Sequence, residues 1–130
     1  MKFQEYYDSA KRASDLLEQG DHAAALGVLK SLIDGELPDL DKAMMAMNVA
    51  IVCQKMGQEG DALAWYDYGI GMETPLMRFS VAEAKAAYLV SKGRNAEALD
   101  IYQSLLGEKF LMFRDRDRLQ QYVAAVRQSG

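Results

Sequence analysis

Apolar residues recur along most of the chain at the spacing of α-helices, three or four positions apart. Six helices are predicted from this pattern, over residues 3–19, 22–34, 39–56, 59–72, 75–92 and 95–106. A seventh is predicted near residues 114–127, where the apolar positions i, i+3, i+4 and i+7 form one stripe. That stripe consists of Leu119, Tyr122, Val123 and Val126. Strong helix formers dominate these segments, so the chain is predicted to be all-α.

The third predicted helix contains an apolar segment, "AMMAMNVAIVC" at residues 43–53, whose one polar side chain is Asn48. A membrane-spanning helix needs about 20 apolar residues, whereas a run of about 10–14 is typical of a buried helix. Spacing predicts a small-residue face of Ala43, Ala46, Ala50 and Cys53. A second, larger face contains Met45, Val49, Val52 and Met56. A third stripe is left over, which consists of Met44, Met47, Ile51 and Gln54.

Glycine and proline recur with a period of about three dozen residues. Gly20, Gly57 and Gly93 are spaced by 37 and 36 residues, and each precedes an Ala-Leu pair by five positions. Pro38 and Pro75 are also 37 residues apart. A fixed period of about 20–50 residues is typical of stacked-repeat proteins. Each repeat is predicted to be two helices, the first of which ends at the glycine because that residue tolerates a left-handed conformation.

This period predicts one domain over residues 1–130, with repeats at about 3–37, 38–74 and 75–107 and a last helix at about 114–127. Thr74 followed by Pro75 is predicted to begin the fifth helix, as its N-cap and its first helical residue.

The repeated residues resemble the tetratricopeptide repeat (TPR) family. The family's small residue, glycine and alanine match in three repeats, and its late aromatic and proline match in two. Ala13, Ala50 and Ala86 match the small position, Tyr66 and Tyr102 the late aromatic, and Pro38 and Pro75 the proline. The early aromatic position departs from the family pattern, with Ser9, Ala46 and Ala82, and so does the second-helix small position, with Leu32, Gly69 and Leu105. The resemblance implies a right-handed α-solenoid of three helix-turn-helix repeats with a seventh, capping helix.

In the family, one stripe of each first helix lines a concave groove. The resemblance implies that the groove here contains Tyr7, Ser14, Met44, Met47, Asn48, Ile51, Gln54, Glu83, Ala87 and Val90. Its centre is apolar and carries flexible methionines, which suit adaptable partner surfaces. The expected function is a non-catalytic protein-interaction module that binds a peptide or an amphipathic helix.

Two alternatives stay open. The chain could be a self-assembling subunit whose groove is filled by its own copy, as in a homodimer, or a small secretion-type chaperone, which the family also includes. Co-chaperones of the family hold a C-terminal carboxylate with a lysine/asparagine clamp. Only Asn48 and Lys11 could serve in such a clamp here, so this activity is not expected.

Composition and charge argue against nucleic acid and membranes as partners. The net charge of −4 argues against a general nucleic-acid binder, since phosphate binding needs a basic surface. The N-terminus lacks the apolar core of a signal peptide, and Cys53 is the single cysteine, so no internal disulfide forms. We expect a cytoplasmic protein that does not enter membranes.

Candidate chemistry is sparse. His22 has no partners at metal-ligand or catalytic spacing, and Cys53 falls on the small-residue face, so neither an enzyme nor a metal or cofactor site is expected. The run Arg114–Arg118 is interpreted as a solvated helix start, with a phosphate or acidic-partner contact as the alternative. Trp65 and Tyr68 can touch on one side of their helix, either as a contact patch or as ordinary packing.

Overall fold

The computed structural model describes residues 3–109 and 111–129 of the chain. Within them the regular secondary structure is helical, and the predicted all-α class is confirmed. The helices are α1 (Phe3–Glu18), α2 (His22–Asp34), α3 (Asp39–Lys55), α4 (Glu59–Glu73), α5 (Ser80–Ser91), α6 (Asn95–Leu106) and α7 (Phe113–Ser129). A short 3-10 turn, Thr74–Leu76, follows α4.

The chain divides into two compact units, with the division between Leu76 and Met77. Unit 1 holds α1 to α4, and each of these helices packs against the next one in sequence. Unit 2 holds α5 to α7, where α5 packs on α6 and α6 packs on α7. The two helices of each predicted repeat are therefore neighbours in space.

The three repeated turns have one geometry. Gly20, Gly57 and Gly93 have φ angles of +79°, +74° and +75°. Each glycine N–H donates to the carbonyl three residues back, and the next residue's N–H donates to the carbonyl five residues back. This is the Schellman pattern, which satisfies the last carbonyls of a helix and reverses the chain.

Small residues at the repeated positions allow the paired helices to approach closely. Ala25, Ala62 and Ala98, five residues after the glycines, have no exposed surface. Leu29, Tyr66 and Tyr102 follow them by one helical turn and are buried as well. The positions that define the repeat in the sequence thus form the core of each helix pair.

The apolar segment of α3 is surrounded as its pattern predicts, with one exception. The small-residue face (Ala43, Ala46, Ala50 and Cys53) is almost completely buried, and Met45, Val49 and Val52 on the larger face belong to the core as well. Met56, predicted to belong to that face, is 37% exposed because α3 ends at Lys55 and Met56 lies in the turn that follows. The third stripe is half-buried, so it keeps part of its surface.

The predicted start of the fifth helix at Thr74 and Pro75 is wrong. Helix α4 continues to Glu73, and Thr74 is its C-cap with helical φ and ψ. The Thr74 hydroxyl donates to the carbonyl oxygen of Ile70 at 2.6 Å, so it bonds to the preceding turn and does not cap the following helix. The chain then passes through Met77, a non-glycine residue with φ of +56°, before α5 begins at Ser80.

Candidate functional site

The predicted groove residues belong to both units, and in each unit some of them line a cavity. The unit 1 cavity has a volume of about 250 Å³ and is lined by α1, α2 and α3. From α1 come Ala10, Ser14 and Leu17, and from α3 come Asn48, Ile51 and Lys55. Leu29 and Val52 contribute buried walls. The cavity is mainly apolar, and Lys55 is the charged side chain in its lining.

The unit 2 cavity is larger, with a volume of about 430 Å³. Helix α5 contributes Glu83, Ala84, Ala87 and Val90, α6 contributes Tyr102, and α7 contributes Tyr122, Ala125 and Val126. Most of these side chains are small and apolar, which leaves room in the cavity. Its polar side chains are Glu83 and the two tyrosines.

The two cavities use the same positions of the repeat. Glu83, Ala87 and Val90 in α5 lie exactly two repeat periods after Ala10, Ser14 and Leu17 in α1. One face of a repeat's first helix therefore lines a cavity in each unit, although the residues at the matching positions differ in chemistry.

Six of the ten predicted groove residues line these cavities. Ser14, Asn48 and Ile51 line the unit 1 cavity, and Glu83, Ala87 and Val90 line the unit 2 cavity. The other four lie elsewhere on the same helices. Met44 and Met47 are half-buried in α3, two turns and one turn before Ile51 respectively, and Tyr7 is 54% exposed in α1.

Gln54 was predicted to extend the groove, but its side chain is engaged within the second hairpin. The Tyr66 hydroxyl, from α4, donates a hydrogen bond to Gln54 Oε1. This bond directs the Gln54 amide toward the partner helix. The sequence offered a hint, since Tyr66 occupies the buried late-aromatic position of the repeat.

Glu83 is held by an arginine that the sequence pattern did not connect to it. Arg118 Nε lies 3.0 Å from Glu83 Oε1, and Arg118 Nη2 lies 2.9 Å from Glu83 Oε2. Arg118 Nη1 also donates to Asp115 Oδ1 at 2.7 Å. The hydrogen bonds to Glu83 and to Asp115 raise the pKa of the Arg118 guanidinium above its ordinary value. This bidentate geometry ties α7 to α5.

A second arginine of the same run also makes an intramolecular contact. Arg116 Nη1 donates to the carbonyl oxygen of Leu106, the last residue of α6, at 2.9 Å. A cation at this helix end satisfies a free carbonyl and suits the helix dipole. The interpretation of the run as a merely solvated helix start is therefore wrong for Arg116 and Arg118.

Two tyrosines form the aromatic wall of the unit 2 cavity. The rings of Tyr102 and Tyr122 have centroids 5.5 Å apart and planes inclined by 39°. Tyr102 is only 3% exposed, yet its hydroxyl makes no hydrogen bond to any residue in the described part of the chain. Burial, and then the neighbouring Tyr122 and Glu83, raise the pKa of the Tyr102 hydroxyl. The sequence predicted both rings as packing residues and missed that they border a cavity.

Unit 1 carries a second aromatic pair, as the spacing of its residues allowed. Trp65 and Tyr68 meet edge to face with centroids 5.5 Å apart. Lys30 Nζ lies 5.9 Å from the Trp65 ring centroid, at cation–π distance. Both rings are half-buried, and Lys30 belongs to α2.

Cys53 and the potential metal-ligating side chains are the remaining candidates. Cys53 is buried, and burial followed by the nearby Asp61 raises the pKa of its thiol, which disfavours the nucleophilic thiolate. Across residues 3–109 and 111–129, no three potential metal-ligating side chains come together. Within the same ranges, no helix has the length and apolar character needed to cross a membrane.

Comparison of the chain with models of known protein families, with curated proteins and with solved structures gave no match.

Proposed function

We propose that the protein is a TPR-like α-solenoid that acts as a non-catalytic interaction module and binds a peptide or an amphipathic helix. One observation carries this proposal: equivalent first-helix positions line a mainly apolar cavity in each unit. A face that is built on the same repeat positions and keeps accessible apolar space is typical of a binding surface.

The lining suits side chains of a peptide. Ala10 and Ser14 in unit 1 and Ala84 and Ala87 in unit 2 are small, so the helix backbones can be approached closely. Both linings are mainly apolar with a few polar groups, and in binding pockets such polar groups fix the orientation of the occupant. Binding would follow helix-in-groove or extended-peptide recognition.

The proposal is tested by filling the cavities. Peptides are first selected from a random library against the purified full chain, and their affinity is then measured for cavity-filling variants. Ala87→Trp and Ser14→Trp insert a bulky ring into the unit 2 and unit 1 cavities. Their matched controls are Ala96→Trp and Ser31→Trp, at exposed positions of the second helices α6 and α2.

At least one of the two cavity variants should weaken binding about tenfold or more, because a steric clash removes the side-chain site. The controls should bind as the wild type does. Failure to select any peptide, or equal losses in a cavity variant and its control, would contradict the proposed function.

Self-assembly is a second candidate, and exposed aromatic side chains on α1 favour it. Phe3 and Tyr7 are 79% and 54% exposed and lie one turn apart, on the face that continues into Ala10 and Ser14. A second copy of the chain could cover this face. The oligomeric state separates this candidate from binding of a different protein.

A further inference from the structure

The polar side chains of the unit 2 cavity are few, and the charge of Glu83 acts on the Tyr102 hydroxyl. Glu83 is the only charged side chain among the described residues that line it, and no cationic side chain is among them. The hydroxyl-bearing rings of Tyr102 and Tyr122 are the other polar groups of the lining. The cavity therefore offers a carboxylate and two phenols to an occupant.

The guanidinium next to Glu83 does not cancel this negative character. Arg118 divides its hydrogen bonds between Glu83 and Asp115, so two carboxylates share one cation. These three hydrogen-bonded side chains together carry one excess negative charge, and the cation Arg78, which borders a neighbouring pocket with them, does not line the unit 2 cavity. Each Glu83 oxygen accepts one hydrogen bond from Arg118 and has a further lone pair for another donor.

The aromatic wall adds a second attraction for a cation. The face of a tyrosine ring carries negative potential and attracts ammonium and guanidinium groups. Tyr122 is 41% exposed, so its ring is accessible. The Tyr102 hydroxyl makes no hydrogen bond within the described residues and can accept one from an occupant of the cavity.

The rest of the cavity suits an aliphatic stem. Ala84, Ala87 and Val90 from α5 face the same space as Ala125 and Val126 from α7. Long cationic side chains bury their methylene stems along apolar surface and keep the charged head in a polar setting. A volume of about 430 Å³ is ample for such a side chain.

We propose that the unit 2 cavity is a subsite for a long cationic side chain, lysine or arginine, of the partner peptide, with Glu83, Tyr102 and Tyr122 around its charged head. This inference rests on the proposed function, which supplies the peptide. The unit 1 cavity is not equivalent, because its lining carries Lys55 and no carboxylate.

The subsite can be tested without knowing the peptide. The probes are n-butylammonium, which reproduces a lysine side chain, n-butanol, which keeps the stem without the charge, and butyrate, which reverses the charge. Each is titrated into the full chain carrying ¹³C-labelled alanine and valine methyl groups. The methyl groups of Ala87 and Val126 report on the unit 2 cavity, and that of Val52 reports on the unit 1 cavity.

Butylammonium should shift the unit 2 methyl signals with a dissociation constant on the order of 1 mM, as expected for so small a ligand. It should bind about tenfold more tightly than butanol, through its contacts with the carboxylate and the rings. Butyrate should bind more weakly than either, and the Val52 methyl signal should not respond to butylammonium.

Two variants locate the charged head. Glu83→Gln removes the carboxylate charge and should bring butylammonium affinity close to that of butanol. Tyr102→Phe removes a hydroxyl with no partner in the described residues, so the fold is kept, and should weaken butylammonium about threefold. Thermal unfolding of each variant separates lost binding from lost structure, and Tyr68→Phe in unit 1 is the control.

Equal affinity for butanol and butylammonium would show an apolar site and overturn the proposal. Stronger binding of butyrate, or no methyl shift with any probe, would overturn it as well. These outcomes are independent of the peptide selection. A selected peptide that is blocked by Ala87→Trp while the probes fail would leave the interaction module standing without the cationic subsite.

Discussion

Single glycines set the three turns through their backbone conformation alone. A Cβ atom added at Gly20 would have no heavy atom within 4 Å, and the same is true at Gly57 and Gly93. Crowding therefore does not explain why glycine recurs there. The positive φ does, since a left-handed residue other than glycine costs roughly 1–2 kcal/mol.

Gly20→Ala should lower the free energy of unfolding by about 1 kcal/mol, because alanine is strained at a φ of +79°. Gly27→Ala is the matched control, seven residues away inside α2 and equally uncrowded. It should raise stability by about 0.5–1 kcal/mol, since alanine is the better helix former. Urea unfolding measures both, and a stabilising Gly20→Ala would contradict the assigned turn geometry.

Tyr102 should reveal its environment in an alkaline titration. Its pKa is raised above the ordinary value of 10.0, so it contributes fully to stability below pH 10.0 and that contribution is lost as the pH rises through the folded-state pKa. Ultraviolet absorbance of tyrosinate should show a late-titrating phase, and Tyr102→Phe should remove part of it. If Tyr102→Phe removed absorbance only from the tyrosines that titrate early, the Tyr102 ring would be solvated and the assigned environment would be wrong.

At the scale of the elements, the sequence predicted most of what local pattern controls. Apolar periodicity and the glycines located the helices to within a few residues, because amphipathic spacing and C-terminal capping are local properties. The start of α5 was missed, since Thr74 can bond either to the turn before it or to the turn after it. Nothing in the residue types decides between these two bonds.

Contacts between distant elements could not be predicted. Glu83 and Arg118 are 35 positions apart and belong to different helices, and no spacing rule links them. The cavity beside them depends on how α5, α6 and α7 pack, which the repeat period does not specify. Six of the residues predicted for the groove line the two cavities, and the groove itself stays a prediction. The aromatic wall and the carboxylate pairing required the three-dimensional arrangement.

The link between α5 and α7 should appear as a coupling between Glu83 and Arg118. A double-mutant cycle with Glu83→Gln and Arg118→Met should give a coupling free energy of about 1 kcal/mol, because the pair is bidentate yet partly exposed. High salt should reduce it. The Arg94–Glu97 pair at the start of α6 is the control and should give a smaller coupling, since Glu97 is more open to solvent than Glu83. Equal couplings would argue against the role assigned to Arg118.

At the scale of the whole molecule, the repeat period motivates the proposed solenoid and the proposed binding face. The net charge of −4 argues against nucleic acid as the partner, and the apolar third stripe of α3 favours a protein. Small apolar side chains accept many peptides, so the proposal names a class of partner, a peptide or an amphipathic helix, and stays a prediction. Cytoplasmic location likewise stays a prediction.

The protein should sediment as a monomer at micromolar concentration if its binding face is reserved for a different chain. Met47→Glu, on the half-buried stripe of α3, should leave this state unchanged. Met56→Glu, in the exposed turn after α3, is the control. A wild-type dimer that is dissociated by Met47→Glu but not by Met56→Glu would favour self-assembly.

The footprint of a selected peptide on the alanine methyl groups tests the central claim most directly. Ala10 and Ala87 lie on first helices and line the cavities, whereas Ala23 and Ala96 are exposed on second helices. On peptide addition, the account predicts shifts of the Ala10 or Ala87 methyl signals and unchanged signals from Ala23 and Ala96. Shifts confined to Ala23 and Ala96 would contradict it.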